Sequence, residues 1–271
     1  RQMCIRDRYN PSQFCIIYVM GCQLMPKYTF KSAFATDFEH IPPKNGRPTV
    51  LYLHGFCSDC WGRKPETVKA FCLAHGVGLF RFDYAGHGSD RENFAKADFK
   101  IWKEQVLEVI DEALAGDIVC VGSSMGGWLS LLAAIERPER VRGVIGLAAA
   151  PNFVRRFAKL VTPEQEAELR EKGRFTFGTD DFTYTITGRF IDTATAECLP
   201  EGEKTWPVGC PVHLIQGMKD ACLPWHFALD FAAALASENV EVKLLKSSDH
   251  RLNDDDAVAE LKNSLAKFVN I

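Results

Sequence analysis

Val121-Gly122-Ser123-Ser124-Met125-Gly126-Gly127 is the stretch whose reading decides the fold. Upstream lies Asp117-Ile118-Val119-Cys120-Val121, a short apolar run rich in β-branched residues, which reads as a buried strand. Downstream, Trp128 to Ile135 continues into Glu136-Arg137 and meets Pro138, which reads as a helix and its stop. Strand, sharp turn and helix are the setting in which Gly-x-Ser-x-Gly is a nucleophile elbow, here with Ser124 at the apex. The apex residue is held in a strained backbone conformation, so its neighbours must be small. Gly122 and Gly126 supply that room. Without the flanks, the same residues would be an ordinary Gly-rich turn.

A nucleophilic serine needs a base, and the base needs an orienting acid. After such an elbow the chain order is serine, then Asp or Glu, then His. His226 and His250 both lie far enough downstream. His213 sits inside the apolar run Pro211 to Ile215 and reads as a strand residue. His250 occupies the polar loop Ser247 to Arg251, between the strand-like Val240 to Leu245 and a last helix at about 254 to 269. That is where the base belongs. His226 follows Pro224-Trp225 at a helix start and reads as a structural neighbour. The acid is Asp220 in Gly217-Met218-Lys219-Asp220, just past the strand Val212 to Gln216. The loop after Val144 to Leu147 reads Ala148-Ala149-Ala150-Pro151-Asn152 and offers no carboxylate. Asp249 adjoins His250, but neighbours in an extended loop point different ways, so it reads as a loop-closing residue. Leu51 to Phe56 is a strand running into His-Gly. The backbone N–H of Phe56, with that of Met125 after the serine, would form the oxyanion hole, and His54 would brace the loop.

The chain has 271 residues, 46% hydrophobic and 25% charged, enough for one well-buried domain. Strand and helix patterns alternate throughout, which predicts an α/β fold: a mostly parallel central sheet with helices on both faces. Net charge is −3, so there is no electrostatic case for nucleic acid or an anionic membrane surface. The one compact apolar run near the start, Phe14 to Met20, is too short for a transmembrane helix. Residues 1–24 stand apart. Gln2-Met3-Cys4-Ile5-Arg6-Asp7-Arg8 reads as a translated transposase-adapter sequence, and the natural start is expected at Met25, leaving 25–271 as the domain. Of 10 cysteines, three lie in that segment. Unpaired cysteines at this density fit a reducing compartment, taken as the cytoplasm. Cys57-x-x-Cys60 lacks the second Cys/His pair of a tetrahedral site, so no metal and no cofactor is expected; a redox role for Cys57 and Cys60 stays open.

Taken together, these segments resemble the α/β-hydrolase superfamily. Arg81-Phe82-Asp83-Tyr84-Ala85-Gly86-His87-Gly88-Ser89 is similar to its Asp-Tyr-x-Gly-x-Gly-x-Ser turn, which in that superfamily is structural. Tyr52-Leu53-His54-Gly55, Gly217-Met218-Lys219-Asp220, Pro224-Trp225-His226 and Ser248-Asp249-His250-Arg251 resemble the subfamily of mycophenolic acid acyl-glucuronide esterases and mitochondrial palmitoyl-protein thioesterases. The resemblance implies a triad of Ser124, Asp220 and His250, in agreement with the spacing. It also implies ester or thioester substrates and makes a mitochondrial matrix location an alternative to the cytoplasm. Phe56-Cys57-Ser58-Asp59-Cys60 and a Lys/Phe/Thr-rich middle region depart from the subfamily and bear on the substrate.

About sixty residues separate Leu147 from Val212, far more than a usual loop, which predicts an inserted lid at about 152–208. Within it, Thr162 caps a helix opening at Pro163, Phe175 to Thr187 alternates like a hairpin, and a second helix runs from about Gly188 to Cys198. Phe56, Trp128, Trp225 and lid aromatics are expected either to line an apolar acyl pocket or to be simple core. Arg251 is expected to meet a substrate carboxylate or to be a surface ion-pair residue. The expected function is a serine esterase or thioesterase acting through an acyl-enzyme on a small acyl ester or thioester, or on a lipidated protein. The rivals are a serine peptidase of the same fold and a binding protein without turnover. The sequence carries no signature of a particular oligomeric state.

Overall fold

A computed structural model of the chain describes residues 14–15, 26–157, 159, 161–178, 183–202 and 205–269. Its strands are β1 (Phe14–Cys15), β2 (Lys27–Thr29), β3 (Ala35–Ile41), β4 (Thr49–Leu53), β5 (Gly78–Phe82), β6 (Ile118–Ser123), β7 (Val141–Leu147), β8 (Arg174–Gly178), β9 (Thr183–Thr187), β10 (Val212–Gly217) and β11 (Val240–Leu245). The α-helices are α1 (Arg63–His75), α2 (Phe99–Glu108), α3 (Met125–Glu136), α4 (Phe153–Phe157), α5 (Pro163–Lys172), α6 (Gly188–Ala196), α7 (His226–Ala234) and α8 (Asp255–Phe268).

Nine of the described strands form one sheet in the order β1-β2-β3-β5-β4-β6-β7-β10-β11. The strands from β5 to β11 in that order are parallel, and β1 to β3 add an antiparallel edge. Every residue of β4, β5, β6 and β10 is buried, as a sheet covered on both faces demands. The side chains divide by strand alternation. Val50, Tyr52, Val119, Val121, Ile145 and Ile215 pack under α1 and α8 through Val68, Phe71, Cys72, Leu261 and Leu265. Leu51, Leu53, Phe80, Phe82, Cys120 and Leu214 face the other way, with Phe99, Trp102 and Val106 of α2 and Phe231 of α7.

The helix ends follow local chemistry. Asp98 and Asp254 accept the N–H groups of Ile101 and Ala257 at 2.9 and 3.0 Å and so cap α2 and α8. Thr162 and Gln165 make a reciprocal capping box at the start of α5, with Pro163 as the first helical residue. The predicted strands and last helix lie where the periodicity puts them, though β7 starts three residues before the expected Val144. The expected hairpin is present as β8 and β9 in antiparallel register, with Phe175 opposite Ile186; its turn lies outside the described residues. The elements not anticipated include α4 at the start of the insertion, a 3₁₀ segment at Gly88–Lys96, a π-helical turn at Val109–Ala113 and the antiparallel edge strands β2 and β3. Of the segment 1–24, only β1 is described, paired with Tyr28 and Lys27. The expectation of an adapter-derived N-terminus otherwise lies outside the described residues. Among those residues no helix is long and apolar enough to cross a membrane.

Candidate active site

The elbow is a backbone feature first. Ser124 sits at φ 52° and ψ −114°, outside the regions open to an ordinary residue, between the end of β6 and the start of α3. Its N–H donates to the Leu147 carbonyl at 2.9 Å and its carbonyl accepts the N–H of Ala150 at 3.0 Å, so β7 holds the apex from one side. The flanking glycines are required by contact. A Cβ on Gly122 would lie 2.2 Å from the Gly126 carbonyl oxygen, and one on Gly126 would lie 2.0 Å from the Leu53 carbonyl oxygen. The absence of both side chains lets β4, β6 and α3 close to backbone contact beneath Ser124.

Ser124, His250 and Asp220 are brought into one hydrogen-bonded line. His250 Nε2 lies 3.2 Å from Ser124 Oγ, and His250 Nδ1 lies 2.7 Å from Asp220 Oδ2. The Asp220 side chain is buried, while that of His250 keeps 26% of its exposure. Four groups fix the carboxylate: Oδ1 accepts the backbone N–H groups of Cys222 and Leu223, both at 2.8 Å, and Oδ2 is shared between His250 and Gln216 Nε2 at 2.9 Å. Burial alone pushes this carboxyl up. The bonds from His250, Leu223 and Gln216 outweigh it, so Asp220 ionises below the usual carboxylate range. Gln216 escaped the sequence reading; its only signal is its place one residue before Gly217-Met218-Lys219-Asp220 at the strand end. Gly217 has a spatial role as well, since a Cβ there would lie 2.4 Å from the Ser248 carbonyl oxygen. The β10 and β11 turns therefore close together, and the N–H of Lys219 donates to that carbonyl at 2.9 Å. Asp249 points away, exposed, and closes its own turn by accepting the Arg251 N–H at 2.9 Å.

The loop after β4 runs beside the elbow. A Cβ on Gly55 would sit 3.4 Å from Ser124 Cβ, which places the Phe56 backbone next to the serine. Met125 opens α3, whose N-terminus directs its partial positive charge at the same spot. His54 braces this loop as expected. It is buried, its Nε2 accepts the Tyr84 N–H at 3.2 Å, and its Nδ1 lies 2.8 Å from the Gly55 carbonyl oxygen. The Arg81–Ser89 segment does more than turn. Buried Asp83 accepts the Cys60 N–H at 2.8 Å and the Trp61 indole N–H at 3.1 Å. Buried Arg81 donates to the Cys60 carbonyl at 3.2 Å and pairs with Glu39 and Glu66 at 2.6 and 2.7 Å. Two buried charges of opposite sign thus anchor the far end of the 56–61 loop.

A cavity of about 490 Å³ opens at Ser124 and His250, lined also by Phe56, Asp59, Arg63, Lys64, Arg251 and Asn253. A second, of about 500 Å³, lies at the opposite, N-terminal ends of the strands, by Asp117, Arg142 and His213, away from all candidate residues. Arg251 is exposed on the rim of the first. Trp128 takes the core alternative: it is fully buried and stacks on Phe99 at 4.1 Å, because α3 turns that face inward. Trp225 is 36% exposed at the start of α7 and is not among the residues lining the Ser124 cavity. Burial pushes the thiols of Cys57 and Cys60 far up, which suppresses the reactive thiolate that a redox pair needs. One group of donor atoms was not foreseen: Asp220, Cys222 and His250 each place a ligating atom within 4.8 Å of the others.

A serine, a histidine and a buried aspartate in line at the carboxyl ends of a parallel sheet is the arrangement that serine hydrolases use. The chain belongs to the Alpha/beta hydrolase family, which it matches over residues 50–262. It is 37% identical over 214 residues to the palmitoyl-protein thioesterase ABHD10, mitochondrial, of Rattus norvegicus, an alignment covering 78% of this chain and 71% of that protein. The solved structure of alpha/beta hydrolase domain-containing protein 10 from mouse superposes with a TM-score of 0.76 at 33% identity, covering 87% of this chain and 94% of that one. A hydrolase from Agrobacterium vitis S4 superposes with a TM-score of 0.80 at 28% identity, covering 90% and 94%.

Proposed function

We propose that this chain is a serine esterase and thioesterase in which Ser124, His250 and Asp220 act as one unit. His250 takes the Ser124 proton as Oγ attacks the acyl carbonyl. The Phe56 and Met125 amides hold the resulting oxyanion, each such donor being worth about 2.7–4 kcal/mol in a related setting. Collapse expels the thiol or alcohol, protonated by His250, and water then releases the acyl group by the same path in reverse. Asp220 keeps the Nδ1–H tautomer and stabilises the imidazolium. The observation that carries this reading is the continuous contact from Asp220 through His250 to Ser124. Residues 152–208 serve as the lid over that contact.

The favoured substrates are fatty-acyl thioesters of protein cysteines, as the ABHD10 relatives are named for. Those relatives are also mitochondrial by name, and we place this chain there too, in preference to the cytoplasm expected from its cysteines. A second substrate, an acyl ester of an anionic alcohol such as a glucuronate, is favoured by Arg63, Lys64 and Arg251 around the cavity. The test is turnover of matched p-nitrophenyl ester and thioester series from short to long acyl chains, with Ser124→Ala as the blank. Hydrolysis of long-chain thioesters is expected. Hydrolysis confined to short acyl groups would move the assignment to small or anionic esters. No Ser124-dependent turnover would refute it and favour a peptidase or a binding protein.

A further inference from the structure

Asp220, Cys222 and His250 come from two loops, at the ends of β10 and β11, and converge only through the closure of those loops over Gly217. One oxygen, one sulfur and one nitrogen donor lie within 4.8 Å of one another, with the Cys222 side chain exposed and the His250 ring part-exposed. This is an open three-donor set of mixed hardness. It suits zinc and its neighbours, which accept Cys, His and carboxylate at about 2.0–2.3 Å and leave a fourth position to solvent. It does not suit calcium or magnesium, which take oxygen ligands. The spacing Asp-x-Cys followed far downstream by His matches no zinc signature, so sequence offers no warning of it.

We propose that this cluster is an inhibitory site for a thiophilic divalent cation such as Zn²⁺. The inference rests on His250 being the catalytic base. Binding converts the Cys222 thiol to thiolate, with its proton released to solvent, so thiolate and carboxylate together match the cation's charge. If the metal takes the Nδ1 lone pair, the ring proton moves from Nδ1 to Nε2, which then faces Ser124 Oγ as a donor and cannot accept its proton. If the metal takes Nε2, the basic nitrogen is occupied outright. Either way the enzyme is silenced while its fold is untouched, and a chelator restores it. Asp220 need not leave its other partners, since Gln216 and the Cys222 and Leu223 amides already hold it without the histidine.

The test uses the full chain, stripped of metal, with a short p-nitrophenyl ester. Zn²⁺ is titrated against wild type and Cys222→Ser, each scaled to its own rate in EDTA, because serine keeps the backbone amide that holds Asp220. In parallel, Co²⁺ is added and thiolate-to-cobalt charge-transfer absorption is recorded. Expected are chelator-reversible inhibition of wild type, at least a tenfold higher inhibiting Zn²⁺ concentration for Cys222→Ser (loss of even an outer partner typically costs about 10–100-fold), and a cobalt–thiolate band that the variant lacks. Equal inhibition of both proteins, or a band unaffected by Cys222→Ser, would overturn the proposal. A Cys222-dependent band with undiminished turnover would overturn it too, since a metal held on that thiolate would then leave the catalytic base free.

Discussion

Ser124 is held at a strained positive φ while Asp220 is held by four hydrogen bonds, so both ends of the line are fixed by backbone or by several partners, and His250 joins them through one contact on each side. Ser124→Ala should lower kcat about a million-fold, as for a triad that works as a unit. Asp220→Asn should lower it about ten-thousand-fold by loss of the correct tautomer. Asp249→Asn should change it by no more than a few-fold, because that carboxylate is exposed and accepts its own loop's amide rather than a bond from His250. Steady-state kinetics on one ester decides all three, and a larger loss for Asp249→Asn would show the wrong acid. Lys64 gives a pH test. Burial brings its amine down to about 8, with Asp249 opposing that fall and Arg251 adding to it. The charge is therefore present below that pH and lost above it. KM for an anionic ester should rise as pH passes upward through about 8, while KM for a neutral ester stays level, and Lys64→Met should flatten the first curve. The three candidate catalytic residues were legible in the sequence because each follows a short apolar strand. Gln216 was not, because a glutamine at a strand end carries no local signature until the chain folds Asp220 back against it. For Trp128 the sequence left pocket and core both open: it lies beside the elbow in sequence, and only the helix period, seen in the fold, turns it onto Phe99.

At the scale of elements, the elbow depends on backbone packed against backbone. Gly126→Ala would force the Leu53 carbonyl from beneath α3, which a flexible side chain could avoid but a strand cannot. The cost should be about 3 kcal/mol or more, at the upper end for overpacking. That lowers Tm by on the order of 6–12 °C in a chain of this size, measurable by thermal unfolding. The insertion is tied at its base and at its tip. Asn152 exchanges two hydrogen bonds with Leu199, both 2.8 Å, and Tyr184 on β9 donates to the Cys57 carbonyl at 2.9 Å. Phe56 stacks on Phe190 of α6 at 5.2 Å and meets Phe153 at 5.3 Å. Tyr184→Phe removes a bond worth about 0.5–1.5 kcal/mol. It should lower kcat/KM about two- to tenfold with at most a few degrees' loss of Tm, and an effect on Tm alone would show that the bond only stabilises the fold. The hairpin and both longer insertion helices were legible from alternation and capping. Their attachment to the 56–61 loop was not, because it depends on contacts between residues more than a hundred positions apart.

Over the whole molecule, four histidines packed into the fold set the response to acid. Burial holds His40, His54, His87 and His213 below the ordinary imidazole value, against the pull of Asp83 on His54 and Glu241 on His213. As pH falls, the unfolded chain takes up these protons first, from about 6.5, while the folded chain declines them. Stability is therefore present above about pH 6.5 and is lost below it, towards each ring's own folded value. Thermal unfolding between pH 7.5 and pH 5 (values chosen as roughly bracketing the free imidazole) should show Tm falling, and His87→Gln should make that fall shallower. An unchanged slope would show that His87 is not held neutral. The double attachment of the insertion has one more result. The stretch carrying the Phe56 N–H is fastened twice to the insertion: the Phe56 ring to α6, and the next residue's carbonyl to Tyr184. On the proposed reading, with this insertion as the lid and the Phe56 amide as an oxyanion donor, door and latch would be one piece. Swinging the door outward to admit an acyl chain would pull the donor out of register, so that water reaching Ser124 while it stands open would find the machine disengaged.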